Sequence, residues 1–105
     1  MGWTLFQGDT LVVKQVTIVN SDGSTKDCTG LSVTMKVYDS QFNEVLSKAL
    51  SWSDQVLGVA QWTVASADVS SFAVGTTYNV VAILTATGYI EHTEPWTVDY
   101  VQAAQ

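Results

Sequence analysis

The sequence predicts an all-β fold, a β-sandwich of about seven antiparallel strands, from three observations. The 105 residues include sixteen Val, thirteen Thr, four Trp and four Tyr, the composition favoured on pleated, half-buried surfaces. Apolar and polar residues alternate strictly from Leu31 to Val37, as in a strand with one buried face, because successive side chains point to opposite faces. Turn signals recur at intervals of roughly ten residues. No segment has an apolar period of helix length, so a parallel α/β sheet is excluded.

The N-terminal part of the chain is predicted to form two strands followed by a turn. Residues 3–6 form the first, short strand. Residues 10–19 form the second, in which the apolar phase changes between Val13 and Val16. One extra residue in a strand flips the register, so this change predicts a β-bulge. The polar cluster that follows contains Asp22-Gly23, a pair that favours a tight hairpin-type connection.

The middle of the chain is predicted to form three more strands. Residues 31–38, 45–52 and 59–64 carry the apolar and β-branched residues typical of strands. A polar loop at residues 39–43 separates the first two. Residues 66–71 are rich in side chains that bond to nearby backbone, and they predict a short helical turn or an irregular connection.

The last two predicted strands cover residues 78–86 and 89–101. Residues 78–86 are apolar on both faces, which indicates either a central strand with a shielded outer face or a surface for a partner chain. The shielded strand is favoured, since single exposed apolar side chains are common. Tyr78 stands where sandwiches place a tyrosine corner. Pro95 interrupts the final strand, because proline cannot donate a ladder hydrogen bond.

Length and charge limit the classes of function. Residues 1–105 are predicted to form a single domain. The chain has four Lys, no Arg and a net charge of −6, so binding to nucleic acid or to an anionic membrane is not expected. The N-terminus lacks the pattern of a signal peptide, and Cys28 alone cannot form an intrachain disulfide. Assembly in a reducing cytoplasm fits this cysteine usage.

Catalysis, cofactors and metals are not expected from the sequence. His92 is the single histidine, and no motif presents a nucleophile to it. Cys28 is interpreted as a small apolar packing residue and not as a reactive thiol. Zinc ligands are too few. Asn20, Asp22 and Asp27 could be imagined around a calcium ion, but an ordinary polar hairpin is favoured because the spacing lacks the full loop motif.

Aromatic side chains supply the candidate binding residues. Core packing accounts for most of the four Trp residues, because each buries a large area. Trp is also enriched at interface hot spots. Trp3, near the N-terminus, and Trp52, at a strand end, are expected to be the most exposed. Together with Phe6 and Phe42, they are predicted to contact a partner.

The order of turn motifs resembles the N-terminal domain family of phage upper baseplate proteins, an immunoglobulin-like module. The residues that carry the resemblance are Gln7-Gly8-Asp9-Thr10-Leu11, Asp22-Gly23, Asp27-Cys28-Thr29-Gly30-Leu31, Gly58-Val59 and Gly75-Thr76-Thr77-Tyr78. Cys28 stands where the family usually has Leu, and the last motif is one residue longer. Family members typically continue into a stalk, whereas this chain ends at Gln105, which favours a free-standing module.

The resemblance implies an immunoglobulin-like sandwich and a non-enzymatic structural role in a phage virion. Such a module would dock onto tail, baseplate or capsid subunits as an adaptor or a capsid decoration protein, in symmetric multiple copies. It would assemble in the host cytoplasm. The alternative is a module on the virion that binds a host carbohydrate or receptor, with Phe42 and Trp52 stacking on sugar rings.

Overall fold

The computed structural model describes residues 2–102, and the described part contains strands and one short 3-10 turn. Met1 and residues 103–105, which belong to the predicted domain, lie outside the described residues. The elements in chain order are β1 (Gly2–Phe6), β2 (Val13–Thr17), β3 (Ser32–Tyr38), β4 (Glu44–Ala49), β5 (Ser51–Asp54), β6 (Val59–Thr63), a 3-10 turn (Ser66–Val69), β7 (Thr76–Ala86), β8 (Tyr89–His92) and β9 (Trp96–Val101). The predicted all-β fold is confirmed. None of the described helices has the length and apolar character to cross a membrane.

Two sheets face each other. One has the order β1-β9-β7-β3-β4, with β8 also paired to β7, and the other has the order β2-β6-β5. This division of the strands is that of an immunoglobulin-like sandwich with an extra strand at each edge of the larger sheet. β1 runs parallel to β9, so the sandwich is not wholly antiparallel as predicted. Buried residues of both sheets, such as Met35, Trp62 and Leu84, form the core between them.

Two of the predicted strands are divided in the structure, so that residues 2–102 contain nine strands where about seven were expected. The predicted strand at 45–52 is divided at Leu50, which is buried. Before this residue β4 pairs with β3, and after it β5 pairs with β6, so the chain passes from one sheet to the other. The predicted strand at 89–101 is divided before Pro95 into β8 and β9.

The prediction of a β-bulge between Val13 and Val16 of the second strand is wrong. β2 pairs with β6 residue for residue, from Val13 with Thr63 to Thr17 with Val59. The apolar phase changes because Val13 is half exposed, while Val16 points into the core. Register shifts occur instead in β3 after Val37 and in β5 after Trp52.

The tyrosine corner predicted from the sequence is confirmed. Tyr78 is 3% exposed, and its Oη accepts a hydrogen bond of 2.6 Å from the backbone N–H of Ala73. The ring of Phe72 packs on Tyr78 at a centroid distance of 4.6 Å. These contacts attach the connection after the 3-10 turn to the start of β7. The outward-facing Val81 and Ile83 of β7 are half-buried, as expected of a largely shielded strand.

Candidate binding sites at the two ends of the sandwich

A groove of about 460 Å³ opens at one end of the sandwich. It lies between the end of β2 with the loop that follows and the segment from Glu91 to Trp96. Its apolar lining includes Val16, Ile18 and Trp96, and its polar lining includes Glu91. Its volume falls within the range of about 300–1,000 Å³ typical of ligand sites. We call it the β2 groove.

The loops around the β2 groove are tied together by polar contacts. Lys26 Nζ lies 3.3 Å from Glu91 Oε1, and the hydroxyl of Tyr89 donates to the same carboxylate. The Tyr89 hydroxyl and the Lys26 ammonium outweigh burial and lower the pKa of Glu91. Ile18 N–H donates to the carbonyl of Gly58 at 2.8 Å. The loop after β2, the turn between β5 and β6 and the β7–β8 hairpin therefore form one framework.

Trp96 differs from the other three tryptophans in its hydrogen bonding. It is 5% exposed, packs edge-on to Trp3 at 5.3 Å and lines the β2 groove. Among the described residues, its Nε1–H is the one buried side-chain N or O group that has no hydrogen-bond partner. The other three indoles donate bonds: Trp3 to Gln15 O at 3.0 Å, Trp52 to Leu31 O at 2.9 Å and Trp62 to Asp68 Oδ2 at 2.9 Å. A buried donor without an acceptor is costly, by about 1–3 kcal/mol.

Two apolar side chains stand out at the opposite end of the sandwich, where β2 begins and β3 ends. Leu11 has φ of 60° and Phe42 has φ of 62°, and they are the non-glycine residues with positive φ in the described part of the chain. Their side chains are 74% and 77% exposed. The left-handed region costs an L-residue about 1–2 kcal/mol. We call this end of the molecule the Leu11/Phe42 end.

The unusual backbone of these two residues is held by hydrogen bonds. In the loop after β3, Asp39 Oδ1 accepts from the N–H groups of Gln41 and Asn43, each at 2.9 Å, and Phe42 N–H donates to Asp39 O at 3.0 Å. The bond from the backbone of Asn43 is the largest cause that lowers the pKa of Asp39. Leu11 N–H donates to Val64 O at 2.6 Å. Both side chains are thus presented on ordered loops.

The predicted binding residues do not form one surface. Trp52 and Trp3 are the two most exposed of the four tryptophans, as expected, but Trp3 is only 8% exposed and packs between the sheets. Phe6 lies on the opposite face of β1 and is 43% exposed. Trp52 is half-buried in β5, because its indole is bonded to the loop before β3. Phe42 is exposed as a binding residue requires. That Phe6, Phe42 and Trp52 contact a partner stays a prediction.

The other candidate side chains have local structural environments. Cys28 is fully buried, as the packing interpretation expects, and burial raises the pKa of its thiol. Asp22 accepts from Ser24, and Asp27 accepts from Thr29, so both carboxylates cap their own turns. No group of three or more His, Cys, Asp or Glu side chains that could hold a metal ion occurs within residues 2–102.

Leu11 and Trp96 were not identified as binding residues from the sequence. A large apolar residue directly after a Gly-Asp-Thr turn could have drawn attention to Leu11. Nothing in the sequence distinguishes Trp96 from the other tryptophans, because the difference is that its indole has no acceptor among residues 2–102 of the folded chain.

The chain shows little similarity to the known proteins with which it was compared. No protein-family model matches the chain, and the search of curated proteins finds no match. Among solved structures, CopC from Methylosinus trichosporium OB3b is similar, with a TM-score of 0.43 and 16% sequence identity over 85% of this chain and 98% of CopC.

The comparison contradicts the expected role as a structural protein of a phage virion, together with its alternative as a carbohydrate- or receptor-binding module on the virion. The finding that bears on this role is the likeness to CopC, which points away from it. The virion role is therefore withdrawn. A likeness this weak transfers no property of CopC to this chain. No comparison tests the family resemblance, which stays a prediction, as do the partners and the location inferred from it.

Proposed function

We propose that the chain is a binding domain without a catalytic step of its own, and that it attaches to a protein partner through the Leu11/Phe42 end. The observation that carries this proposal is the combination of positive φ and high exposure at Leu11 and Phe42. Strained backbone that the fold holds in place is a feature that clusters at functional sites.

The energetics of these two residues favour a binding role over a folding role. Each holds its backbone in a region that costs about 1–2 kcal/mol and leaves an apolar side chain in water. Covering such a side chain with a partner would contribute about 1.5–3 kcal/mol. Phe42 has the character of an interface anchor, a large apolar group presented on an ordered loop. Phe6, Val13 and Val74 are also exposed at this end of the molecule, where β1 ends and β2 and β7 begin.

Replacing Phe42 with Gly tests whether the residue is retained for stability or for binding. Glycine adopts positive φ without strain, so Phe42→Gly and Leu11→Gly should keep or raise the free energy of unfolding, by up to about 1 kcal/mol each. Urea denaturation of the two variants and the wild-type chain measures this change. A loss of more than about 1 kcal/mol in either variant would mean that the side chain supports the fold.

A photo-crosslinking amino acid at position 42 tests the binding role directly. The matched control carries the same group at position 90, because Ile90 is 71% exposed and lies in the β7–β8 hairpin at the other end. We expect a discrete crosslinked protein from position 42 that Leu11→Gly reduces, and no such product from position 90. Equal products from both positions, or none from position 42, would contradict the proposal.

A further inference from the structure

We propose that the β2 groove binds an extended peptide segment that contains Lys or Arg and pairs with the free edge of β2. This site lies at the opposite end of the sandwich from the Leu11/Phe42 end, and it rests on different residues. Three observations support it: the unpaired edge of β2, the indole N–H of Trp96, and the carboxylates on the rim of the groove.

Within residues 2–102, the edge of β2 that faces the groove has no neighbouring strand. β2 is the first strand of its sheet and pairs on one side only, with β6. Val12 O accepts from Val64 N–H, and Ile18 N–H donates to Gly58 O, so the even-numbered residues bond toward β6. The N–H and C=O groups of Thr17 therefore point away from β6, because these groups alternate in direction along an antiparallel strand. An added peptide strand would satisfy them.

Trp96 requires an acceptor, which an extended peptide supplies. Its indole N–H has no partner among the described residues, and the ring lines the groove beside the apolar side chains of Val16 and Ile18. A backbone carbonyl of the peptide would accept this hydrogen bond. A simple cation could not, since it has no acceptor.

The charges on the rim select the side chains of the peptide. Glu91 and Glu94 line the groove and are exposed, and Lys26 pairs with Glu91. Glu94 has no ion pair within residues 2–102. The chain also carries a net charge of −6. An acidic ligand is therefore repelled, and a Lys or Arg side chain beside the peptide carbonyl complements Glu94.

The experiment uses three synthetic hexapeptides with blocked ends. One alternates Thr and Lys, one alternates Thr and Glu, and the third is the Thr–Lys peptide with methylated backbone nitrogens on the face that would pair with β2. Titration is followed by the NMR signals of the indole and backbone N–H groups, with the Trp96 signal assigned through Trp96→Phe. We expect the Thr–Lys peptide alone to shift the Trp96 indole and the Thr17 amide.

Two variants of the chain test the geometry. Thr17→Pro removes the N–H at the free edge of β2 but leaves the hydrogen bonds to β6 in place. It should therefore weaken binding of the Thr–Lys peptide at least about fivefold. Glu94→Gln should weaken binding about two- to fivefold, as expected for an exposed ion pair. The Glu94 variant keeps the test valid if the proline variant is poorly folded.

Several results would overturn the proposal. Equal NMR shifts from the Thr–Lys and Thr–Glu peptides would contradict the role of charge, and full binding by the methylated peptide would contradict pairing through the backbone. NMR shifts confined to the free edges of β1, β4 or β5, or no shift of the Trp96 indole at millimolar peptide, would contradict the location of the site. Self-association of the chain through β2, detected as a concentration-dependent change in sedimentation, would assign the edge to a second copy instead.

Discussion

A buried carboxylate, Asp68, holds one part of the core together. Asp68 is 8% exposed, and its Oδ2 accepts from the indole of Trp62 at 2.9 Å and from the N–H of Ala65 at 3.0 Å. Lys48 Nζ lies 3.2 Å from Oδ1. Burial alone would raise the pKa of Asp68, but these hydrogen bonds outweigh it and lower the pKa below its ordinary value of 3.8. The residue connects β6, the 3-10 turn and β4.

Removing the Asp68 carboxylate should destabilise the fold. Asp68→Ala leaves the indole N–H of Trp62 buried without an acceptor, which costs about 1–3 kcal/mol. Urea denaturation measures the loss, with Glu44→Gln as the control, because Glu44 forms an exposed ion pair with Lys36. The control should change the free energy of unfolding by less than about 1 kcal/mol. An equal loss in the two variants would contradict the role of Asp68.

The lowered pKa of Asp68 also predicts a pH dependence. Its stabilising contribution is present above the unfolded-state pKa near 3.8 and is lost as the pH falls through the lower folded-state pKa. The difference in unfolding free energy between the wild-type chain and Asp68→Asn should therefore shrink between about pH 5 and pH 2. Denaturation at a series of pH values measures it. A difference that stays constant down to pH 2 would show that the carboxylate charge is unimportant.

The hydroxyl of Tyr78 supports the corner before β7. Tyr78→Phe removes the acceptor of the Ala73 N–H and should lower the free energy of unfolding by about 0.5–1.5 kcal/mol. Tyr100→Phe is the control, because Tyr100 packs on the same Phe72 ring at 5.6 Å. A loss in the control as large as that in Tyr78→Phe would mean that the hydrogen bond from Ala73 is not the cause of the effect.

At the scale of elements, the turn between β5 and β6 depends on a close approach of backbone. Gly58 has φ of +72°, and an added Cβ would lie 2.5 Å from Ile18 O and 2.8 Å from Lys26 O. Gly30 has φ of +82° but open space around it. Substituting alanine at each of the two positions therefore separates the cost of positive φ from the cost of a clash with backbone.

Gly58→Ala should destabilise the chain more than Gly30→Ala. The Gly30 variant bears the left-handed strain of about 1–2 kcal/mol, and the Gly58 variant adds displacement of the loop after β2. Thermal unfolding of both variants measures the difference. Because this loop lines the β2 groove, Gly58→Ala should also shift the NMR signal of the Trp96 indole, whereas Gly30→Ala should not. Equal melting temperatures in the two variants would contradict the steric argument.

The strands themselves were predictable because their patterns are local. Alternation identified β3, and the tyrosine at the start of β7 identified the corner. The division at Leu50 was not predictable, because residues 45–52 read as one continuous strand and the change of sheet depends on which neighbour each half pairs with. The bulge was wrongly predicted in β2 for a similar reason: the pairing with β6 keeps its register through Val13, and the Val13 side chain is half exposed.

At the scale of the whole molecule, the two ends of the sandwich have different characters. The Leu11/Phe42 end presents apolar side chains on strained backbone, and the other end has a groove with carboxylates on its rim. Because the strands run between the ends, one domain could hold two partners about a strand length apart. Variants at one end should then leave binding at the other end unchanged.

The sequence by itself determined the all-β class, most of the strands, the tyrosine corner and the burial of Cys28, because each depends on local alternation, turn chemistry or residue size. It also predicted that Phe42 contacts a partner, and the structure shows that this side chain is exposed. Only the tertiary structure decided that Trp3 is buried and that Leu11 and Phe42 have positive φ at the same end. It also decided that Trp96, beside a free strand edge, has no acceptor within the part of the chain that the structure describes. These properties depend on which distant segments meet, and no local pattern records that.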